Sequence, residues 1–555
     1  MNRLKSEEFD ILVIGGGCVG TGIALDAATR GLRTALVEAN DFAAGTSSRS
    51  TKLIHGGVRY LENAIKKLDV ASWKLVDEAL EERAFMMYTA PYMSQPLPIM
   101  VPCFKWHEIP MYWITMKIYD FVAGAQRRLP GSYYISASEA LYRFPMLLSK
   151  GLKGAIVYYD GQHNDARMNI NLALTAAQCG TAVANHCRVM SLTKDAKGQV
   201  NGAVVKDAAT NASITVKAKC VVNATGPFAD AVRTMDDPQA KNLIIPAAGV
   251  HVVLPDHFSP EDMGLIIPKT KDGRVLFFLP WEGSTIVGTT DSESQVTETP
   301  TPSTTDVDFI LRESNRVVNR KVGRRDVLSA WSGLRPLVRK PQPETADQEE
   351  QGDDTPQTAQ VSREHVIEVS KNGMVSALGG KWTTFRRMAE DAVDAAIEHH
   401  PSLGMVAGPC RTRGIQVIGA DRAKQVCAGQ FHKVAITLRE TYELDKELAE
   451  YLLRNYGTRA LQVVEANRKN NVRLAPKYPF LASEISFAVQ HEYALSLEDV
   501  LARRLRVAFM DRRAALDMLP KVADIMATEL KWSRSQKRDQ IAAAQRFLDT
   551  MCPSA

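Results

Sequence analysis

The sequence predicts an α/β domain, a second domain built on a mixed sheet, and an all-α domain at the C-terminus. Three observations lead to this prediction. The N-terminal segment alternates an apolar run, a glycine-rich turn, a helical stretch and a second apolar run, which is the pattern of a βαβ unit. Short β-type runs recur between residues 155 and 290. Helical segments with clear start and stop signals occupy residues 435–552.

Composition limits the class of protein. The 555 residues are enough for about two to four domains. The net charge of +5 is small for this length, so no nucleic-acid partner is expected. The eight cysteines form no C-x-x-C pair, which favours reduced, mostly buried thiols and no metal site. We find no run of 18 apolar residues that could span a membrane and no recognisable signal or transit peptide.

The N-terminal turn carries a nucleotide-binding pattern. Gly15, Gly17 and Gly20 form G-x-G-x-x-G between an apolar strand at 10–14 and a helix at 23–30. Glycines let the backbone approach a pyrophosphate, and the helix N-terminus offers free N–H groups to it. Glu38 ends the second strand, where its carboxylate can accept hydrogen bonds from ribose hydroxyls. This order of elements predicts a Rossmann-like domain.

Three further segments distinguish FAD from NAD as the bound nucleotide. They are T-S-S-R-S at 46–50, V-V-N-A-T-G at 221–226 and G-G-K-W-T-T at 379–384. Together they resemble the FAD-dependent glutathione-reductase-like superfamily, in its amino-acid-oxidase-like branch. The resemblance implies non-covalently bound FAD. The cofactor contacts that it and the glycine pattern imply are Gly15, Gly17, Gly20, Glu38, Thr46, Ser47, Ser48, His55, Gly57, Ala224, Gly226, Gly379 and Gly380.

Longer motifs narrow the resemblance. Residues 50–62, 286–291, 331–337, 379–386 and 491–504 are similar to FAD-dependent glycerol-3-phosphate dehydrogenase, and the likeness runs from residue 9 to about 550. The C-terminal part resembles the mitochondrial form, without the calcium-binding EF-hand extension of animal members. Calcium regulation by that route is therefore not expected.

The resemblance implies a reaction and its site. sn-Glycerol 3-phosphate would be oxidised at C2 to dihydroxyacetone phosphate, with a hydride passing to flavin N5. Arg59 and Lys381 would bind the phosphate, with Tyr60 and Thr384 as helpers. An Arg such as Arg59 is more commonly part of a surface ion pair, but the adjoining glycines favour approach to a ligand.

For proton transfer the family match favours His251, although a His within an apolar strand is more often a core residue. Arg335 would stabilise negative charge near the reacting oxygen. Whether His251 or Arg335 is the actual base partner stays open. His55 is a third candidate, which could equally line the flavin.

The family resemblance implies a membrane quinone as electron acceptor and a monotopic enzyme, on the mitochondrial inner membrane or a bacterial cytoplasmic membrane. Residues 105–119, rich in aromatics and Met with Lys near each end, suit either a membrane interface or a buried core helix. Five arginines within 503–513 could meet anionic lipid, but a solvated helix face is the commoner case. Whether the chain forms a homodimer stays open.

Competing functions are an O₂-using glycerol-3-phosphate oxidase, another flavoenzyme of the amino-acid-oxidase-like branch, and a non-catalytic flavoprotein scaffold. The predicted domains are a discontinuous FAD-binding domain (1–85, 150–235 and 360–400), a substrate-binding domain (86–149 and 236–359) and a helical C-terminal domain (410–555). The acidic segment 341–360 has little to bury and is expected to be mobile.

Overall fold

The computed structural model describes residues 1–58, 61, 69–124, 129–339, 361–362, 364–420 and 423–552. The predicted phosphate ligands Arg59 and Tyr60 and the acidic segment 341–360 lie outside these residues.

The first sheet is the nucleotide-binding type that the N-terminal pattern predicts. Its parallel part has the strand order β19-β10-β1-β2-β7, with β18 antiparallel at one edge and a β8-β9 hairpin paired to β10. The strands are β1 (Glu8–Ile14), β2 (Thr34–Val37), β7 (Ala182–Ala184), β8 (Cys187–Lys194), β9 (Val200–Asp207), β10 (Ser213–Asn223), β18 (Val366–Val369) and β19 (Val375–Leu378).

The second sheet is mixed and larger, with the order β17-β16-β11-β14-β13-β12-β4-β6-β3. Strands β15 and β5 pair with β11 and β6, and the pairing is antiparallel except between β12 and β4. Its strands are β3 (Leu53–Ile54), β4 (Ser94–Cys103), β5 (Tyr133–Ser136), β6 (Gly154–His163), β11 (Ile244–Pro255), β12 (Gly264–Ile267), β13 (Leu276–Trp281), β14 (Ser284–Gly288), β15 (Ser292–Glu293), β16 (Ser329–Arg339) and β17 (Val361–Ser362).

Helices cover the sheets and fill the C-terminal third. They are α1 (Asn2–Ser6), α2 (Cys18–Thr29), α3 (Val70–Thr89), α4 (Glu108–Val122), α5 (Ala137–Arg143), α6 (Asp165–Gln178), α7 (Ala229–Asp236), α8 (Thr304–Ser314), α9 (Phe385–His399), α10 (Pro401–Gly404), α11 (Ala423–Glu440), α12 (Lys446–Tyr456), α13 (Ala460–Ala466), α14 (Ala482–His491), α15 (Val507–Met510), α16 (Arg512–Glu529) and α17 (Arg534–Asp549). A π-helix spans Asp499–Arg504.

Strand β1 explains why the first sheet can be read from sequence. Ile11 and Val13 pack against α2, α6 and α9 on one face, while Phe9 and Ile14 pack among β8, β9 and β10 on the other. Both faces are buried, so the strand is apolar from Ile11 to Ile14. Within the ranges predicted for the FAD-binding domain, however, β3 and β6 pair in the second sheet. The exact domain boundaries stay a prediction.

The C-terminal domain is helical, as predicted. Helix α12 ends at Gly457, whose φ of +57° suits the glycine stop, and Ser533 caps α17 with Gln536 in a reciprocal box. Trp331 of β16 lies in the same apolar core as the helices of this domain. The C-terminal domain therefore packs directly on the second sheet.

The interpretation of 503–513 as a solvated or lipid-facing arginine run is wrong for its first three arginines. Arg503, Arg504 and Arg506 are at most 3% exposed. Arg503 and Arg504 bond Asp41, and Arg506 bonds Asp165, so carboxylates far away in sequence neutralise them.

Helix α4 is a surface helix, so the buried-core interpretation of residues 105–119 is also wrong. Only its Met116 and Tyr119 are buried, while Trp113 and Phe121 on the helix and Trp106 just before it are exposed. In the described part of the chain, no helix has the length and apolar character needed to cross a bilayer.

The cysteines only partly match expectation. Seven have described side chains and all seven are free thiols. Cys103, Cys187 and Cys220 are buried, whereas Cys179 and Cys552 are exposed. The expectation that most are buried is therefore wrong.

Candidate active site

A cavity of about 1270 Å³ lies between the two sheets, at the carboxyl ends of β1 and β10 and beside β11 and β16. Pockets for drug-sized ligands are commonly about 300–1,000 Å³, so this cavity can hold a dinucleotide together with a small substrate. The predicted site residues that line it are Gly15, Gly17, Glu38, Thr46, Ser47, His55, Gly57, Ala224, Gly226, His251, Arg335, Gly379, Gly380 and Lys381.

Of the predicted residues that lie in the described part of the chain, three do not line the cavity. A Cβ on Gly20 would lie 1.8 Å from the Gly15 oxygen, so this glycine allows helix α2 to pack against the turn. The Ser48 hydroxyl donates to the Gly45 carbonyl, and the buried Thr384 hydroxyl donates to the Lys381 carbonyl. These contacts hold the backbone of segments that line the cavity, and the structure does not bring Thr384 to where a substrate would bind.

The N-terminus of α2 forms an anion cradle. Gly15 has a φ of +108°, and a Cβ there would lie 2.6 Å from the Ala224 oxygen. The Ser47 hydroxyl accepts a hydrogen bond from the Cys18 N–H at 3.0 Å, which fixes the loop over the helix end. Backbone N–H groups and the helix dipole both favour a phosphate at this place. The cradle fits the pyrophosphate of FAD.

Glu38 is held in place by two backbone N–H groups, in a position to bind a ribose. One carboxylate oxygen accepts the Gly16 N–H at 2.6 Å and the other accepts the Asn40 N–H at 2.8 Å. Burial raises the pKa of Glu38. Each oxygen keeps a further lone pair that can accept from a ribose hydroxyl.

A second glycine turn stands at the other end of the cavity. Gly379 and Gly380 have φ values of +77° and +79°, and a Cβ on Gly380 would lie 2.0 Å from the Met388 sulfur. This turn leads into Lys381 and the N-terminus of α9. The Trp382 indole donates to the Ser47 carbonyl at 2.9 Å, which ties the turn to the first loop. The arrangement fits a flavin between the two loops.

His55 and Asp160 form a hydrogen-bonded pair at the cavity wall. The His55 Nδ1 lies 2.6 Å from a carboxylate oxygen of Asp160, and 28% of the His55 side chain is exposed. Asp160 is fully buried and also accepts from Arg83 and Tyr119. Burial acts to raise the pKa of Asp160, but His55 and Arg83 outweigh it and hold that pKa below its usual range. An ionised carboxylate on Nδ1 leaves Nε2 on the far edge of the ring as an acceptor.

His251 occupies a different environment. It lies in β11 between Trp331, on which its ring stacks at 4.3 Å, and Gly288. It is 3% exposed, and its Nε2 lies 3.0 Å from the Thr51 hydroxyl. Burial lowers the pKa of His251 well below its ordinary value, and the cations of Lys52 and Arg335 lower it further. This histidine is neutral and nearly enclosed.

Arg335 and Lys381 supply positive charge to the cavity. The Arg335 guanidinium donates to Asp291 at 2.8 Å, to the Thr289 hydroxyl at 3.1 Å and to the Thr290 carbonyl at 3.0 Å. These contacts hold the group in one orientation. Lys381 is exposed at the cavity mouth.

Sequence reasoning missed Asp160, Thr51 and Asp291. Asp160 carries the clearest signal, because it interrupts the apolar run at 155–159 with a carboxylate followed by glycine. Thr51 and Asp291 lie inside the quoted motifs but carry no signal of their own. The C-terminal residues Glu498 and Arg503, which also line the cavity, could not have been assigned to it from sequence.

Comparison with known proteins identifies the family of this chain. Residues 10–386 match the family described as FAD dependent oxidoreductase, and residues 410–537 match the C-terminal domain of alpha-glycerophosphate oxidase. The chain is 48% identical to the mitochondrial glycerol-3-phosphate dehydrogenase of Mesocricetus auratus, covering 98% of this chain and 74% of the relative. It is 46% identical to that of Arabidopsis thaliana, covering 98% and 86%.

Among solved structures, glycerol-3-phosphate dehydrogenase from Bacillus halodurans complexed with FAD is similar, with a TM-score of 0.78 and 28% identity. The match covers 99% of this chain and 96% of that one. The L-alpha-glycerophosphate oxidase of Mycoplasma pneumoniae shares the fold at a TM-score of 0.52 and 17% identity. The chain has a nucleotide cradle, a flavin-sized cavity and relatives at 46–48% identity over nearly its full length. It therefore belongs to the family of FAD-dependent glycerol-3-phosphate dehydrogenases.

Proposed function

We propose that the protein oxidises sn-glycerol 3-phosphate to dihydroxyacetone phosphate and passes the electrons to a membrane quinone. FAD, when bound, supplies the two-electron acceptor for the hydride that leaves C2. The observation that carries the proposal is the joining of two features in one cavity. A dinucleotide cradle leads directly to a place where a histidine–carboxylate pair and two cationic side chains converge.

His55 is the proton acceptor in this proposal, in preference to His251. A base needs an accessible nitrogen and a group that orients the ring. His55 has both, because Asp160 binds Nδ1 and part of the ring is exposed. The Nε2 of His251 is held by Thr51, and its ring is almost fully enclosed. His55 therefore takes the C2 hydroxyl proton, and Asp160 stabilises the imidazolium that results.

The cationic groups match the other charges of the reaction. Lys381 at the cavity mouth attracts the phosphate dianion, and Arg335, held by Asp291, faces negative charge that develops on oxidation. The predicted phosphate role of Arg59 is retained from the sequence. A substrate without phosphate would gain little from Lys381.

Helix α4 and the turn before it support a membrane location. Trp106 and Phe121 are 69% and 82% exposed, and the ammonium groups of Lys153 and Lys117 lie 5.4 Å and 5.8 Å from the Trp106 and Trp113 rings. Exposed aromatics beside lysines suit the headgroup region of a bilayer. The relatives from Mesocricetus auratus and Arabidopsis thaliana are named as mitochondrial enzymes, which favours the mitochondrial inner membrane or, in a prokaryote, the cytoplasmic membrane.

The acceptor is tested by steady-state turnover with glycerol 3-phosphate in detergent. The proposal predicts one ketone product per reduced quinone analogue and little peroxide under air. Peroxide formed at the same rate as product would instead identify an oxidase. Turnover on glycerol as fast as on glycerol 3-phosphate would contradict the substrate.

Membrane binding is tested with anionic vesicles. Replacing Trp106 and Trp113 together by serine should release the protein from vesicles without changing turnover on a soluble acceptor. Met405→Ser is the matched control, because Met405 is 84% exposed and lies near the end of α2 rather than on α4. Equal vesicle binding by the tryptophan double variant and the control would reject this surface.

A further inference from the structure

Thr51 and His251 form a pair that the proposed reaction does not yet use. The Thr51 Oγ1 lies 3.0 Å from the His251 Nε2, and both residues line the cavity. The other ring nitrogen of His251, Nδ1, is buried and has no hydrogen-bond partner among the described residues. The two nitrogens thus differ, and this difference decides where the single imidazole proton resides.

The surroundings keep His251 neutral. The His251 ring stacks on Trp331. The Lys52 ammonium lies 4.7 Å from the centre of the same Trp331 ring. Burial and the Lys52 charge lower the pKa of His251 well below its ordinary value. A neutral imidazole carries one N–H and one bare nitrogen.

The tautomer follows from the cost of burying an N–H without an acceptor. A proton on Nδ1 would leave such a donor, and orphaned buried N–H groups are rarer than unsatisfied acceptors. A proton on Nε2 is instead donated to the Thr51 oxygen. The Thr51 hydroxyl then accepts from His251, and its own hydrogen must be directed elsewhere. Within the described chain Thr51 Oγ1 has no second partner, so the cavity is the direction left open.

We propose that Thr51 is a hydrogen-bond donor aimed into the cavity by His251, where it binds an oxygen that gains negative charge during oxidation of the substrate. This inference rests on the proposed function. The acceptor chemistry is a carbonyl or alkoxide oxygen, which either the flavin ring or C2 of the substrate can provide. His251 acts through Thr51 and is a positioning residue.

The backbone around Thr51 supports a fixed donor. The N–H and hydroxyl of Ser50 both donate to Asp165, at 3.0 Å and 2.8 Å. The Lys52 ammonium donates to the same carboxylate at 2.6 Å, and Arg506 of the C-terminal domain donates to it at 3.1 Å. Lys52 also has a φ of +67°, which a non-glycine residue adopts only when its surroundings hold it. Thr51 thus lies between two residues fixed on one buried carboxylate, and a preorganised donor needs no reorientation during reaction.

The test compares Thr51→Val, which removes the hydroxyl and keeps the shape, with Thr51→Ser, which keeps the hydroxyl. Thr528→Val is the matched control, because the Thr528 hydroxyl donates to the Asp524 carbonyl of its own helix, outside the cavity. Each FAD-loaded protein is measured for the midpoint potential of the bound flavin and for the rate of anaerobic reduction by glycerol 3-phosphate. We expect Thr51→Val to slow reduction by about 10²-fold, as loss of one preorganised donor does elsewhere, and Thr51→Ser to restore the rate.

The two measurements identify the acceptor. A lower flavin potential in Thr51→Val without substrate places the acceptor on the flavin, whereas an unchanged potential with slow reduction places it on the substrate. A wild-type rate and potential in Thr51→Val would overturn the proposal, as would a Thr51→Ser protein as slow as the valine variant. If the wild-type flavin is not reduced by glycerol 3-phosphate, the proposed function fails, and the potential alone then decides for or against the Thr51 donor.

His251 gives an independent test should Thr51→Val not fold. His251→Gln keeps an N–H donor for Thr51, while His251→Phe keeps the ring on Trp331 without it. The Phe variant should reduce more slowly than the Gln variant. Equal rates in both would show that His251 does not aim the Thr51 hydroxyl.

Discussion

Replacing His55 by asparagine removes the proposed proton acceptor while leaving its support nearly intact. One oxygen of Asp160 loses its His55 partner, but the other oxygen still accepts from Arg83, Tyr119 and the Gly56 N–H, so the buried carboxylate keeps a cationic partner. The His55 side chain is 28% exposed, and losing its hydrogen bond to the ionised Asp160 should cost about 1.5–3 kcal/mol of stability. The variant is therefore expected to fold and bind FAD.

The expected effect on chemistry is much larger. A positioned general base contributes about 10²–10⁴-fold to a rate, which corresponds to roughly 3–5 kcal/mol of activation free energy. We expect anaerobic reduction of the bound flavin by saturating glycerol 3-phosphate to slow by that factor. The assay is stopped-flow loss of the oxidised-flavin absorbance at matched FAD content.

His257→Asn is the control, because His257 is an exposed histidine beside Asp256 and outside the cavity. Its rate should equal that of the wild type. A near-normal rate in His55→Asn would refute the assignment of the base and return His251 to consideration.

Three further predictions concern charge and stability. Lys381→Met should raise the substrate concentration for half-maximal flavin reduction by about 10–100-fold, since a charged hydrogen bond to phosphate is worth about 1.5–3 kcal/mol. Lys371→Met, which removes an exposed ion pair with Asp237, should leave that concentration unchanged. An unchanged concentration dependence in Lys381→Met would remove Lys381 from phosphate binding. Arg167→Met should lower the free energy of unfolding by about 3–5 kcal/mol, because it removes the guanidinium that binds both oxygens of the fully buried Glu492 and leaves Arg459 at 3.3 Å as the remaining side-chain partner of that carboxylate. Adding Glu492→Gln should recover part of the loss in urea titrations. Burial lowers the pKa of His163 to about 4. As pH falls from about 6.5 to 4, His163 is therefore protonated in the unfolded chain but stays neutral in the folded chain, and the folded state loses stability. Over that pH range, the free energy of unfolding should fall by up to about 3 kcal/mol less in His163→Phe than in the wild type. The same pH dependence in the two proteins would contradict a neutral His163.

A feature of the fold could be predicted from the sequence where the residues that determine it are close together along the chain. The N-terminal βαβ unit could be predicted because β1, α2 and Glu38 follow each other directly and each carries its own pattern. The helix stop at Gly457 and the cap at Ser533 are local in the same way. The glycines of the cofactor cradle could be named for that reason too.

Features that depend on distant pairing could not be predicted. His55 meets Asp160 because β3 pairs with β6, which brings residues 105 positions apart into contact. Arg503 is buried by Asp41, 462 positions away, so its charge looks solvated in the sequence alone. The enclosure of His251 likewise arises from Trp331 on the neighbouring strand β16. In each case tertiary contacts, rather than the residue itself, set the chemistry.

The most direct test of the central claim is anaerobic mixing of the FAD-loaded wild-type protein with sn-glycerol 3-phosphate, glycerol or lactate. The account predicts rapid loss of the oxidised-flavin absorbance with glycerol 3-phosphate alone, because only that substrate presents both a phosphate to the cationic cavity and a secondary hydroxyl to His55. A flavin that stays oxidised with glycerol 3-phosphate, or that is reduced equally well by glycerol, would contradict it.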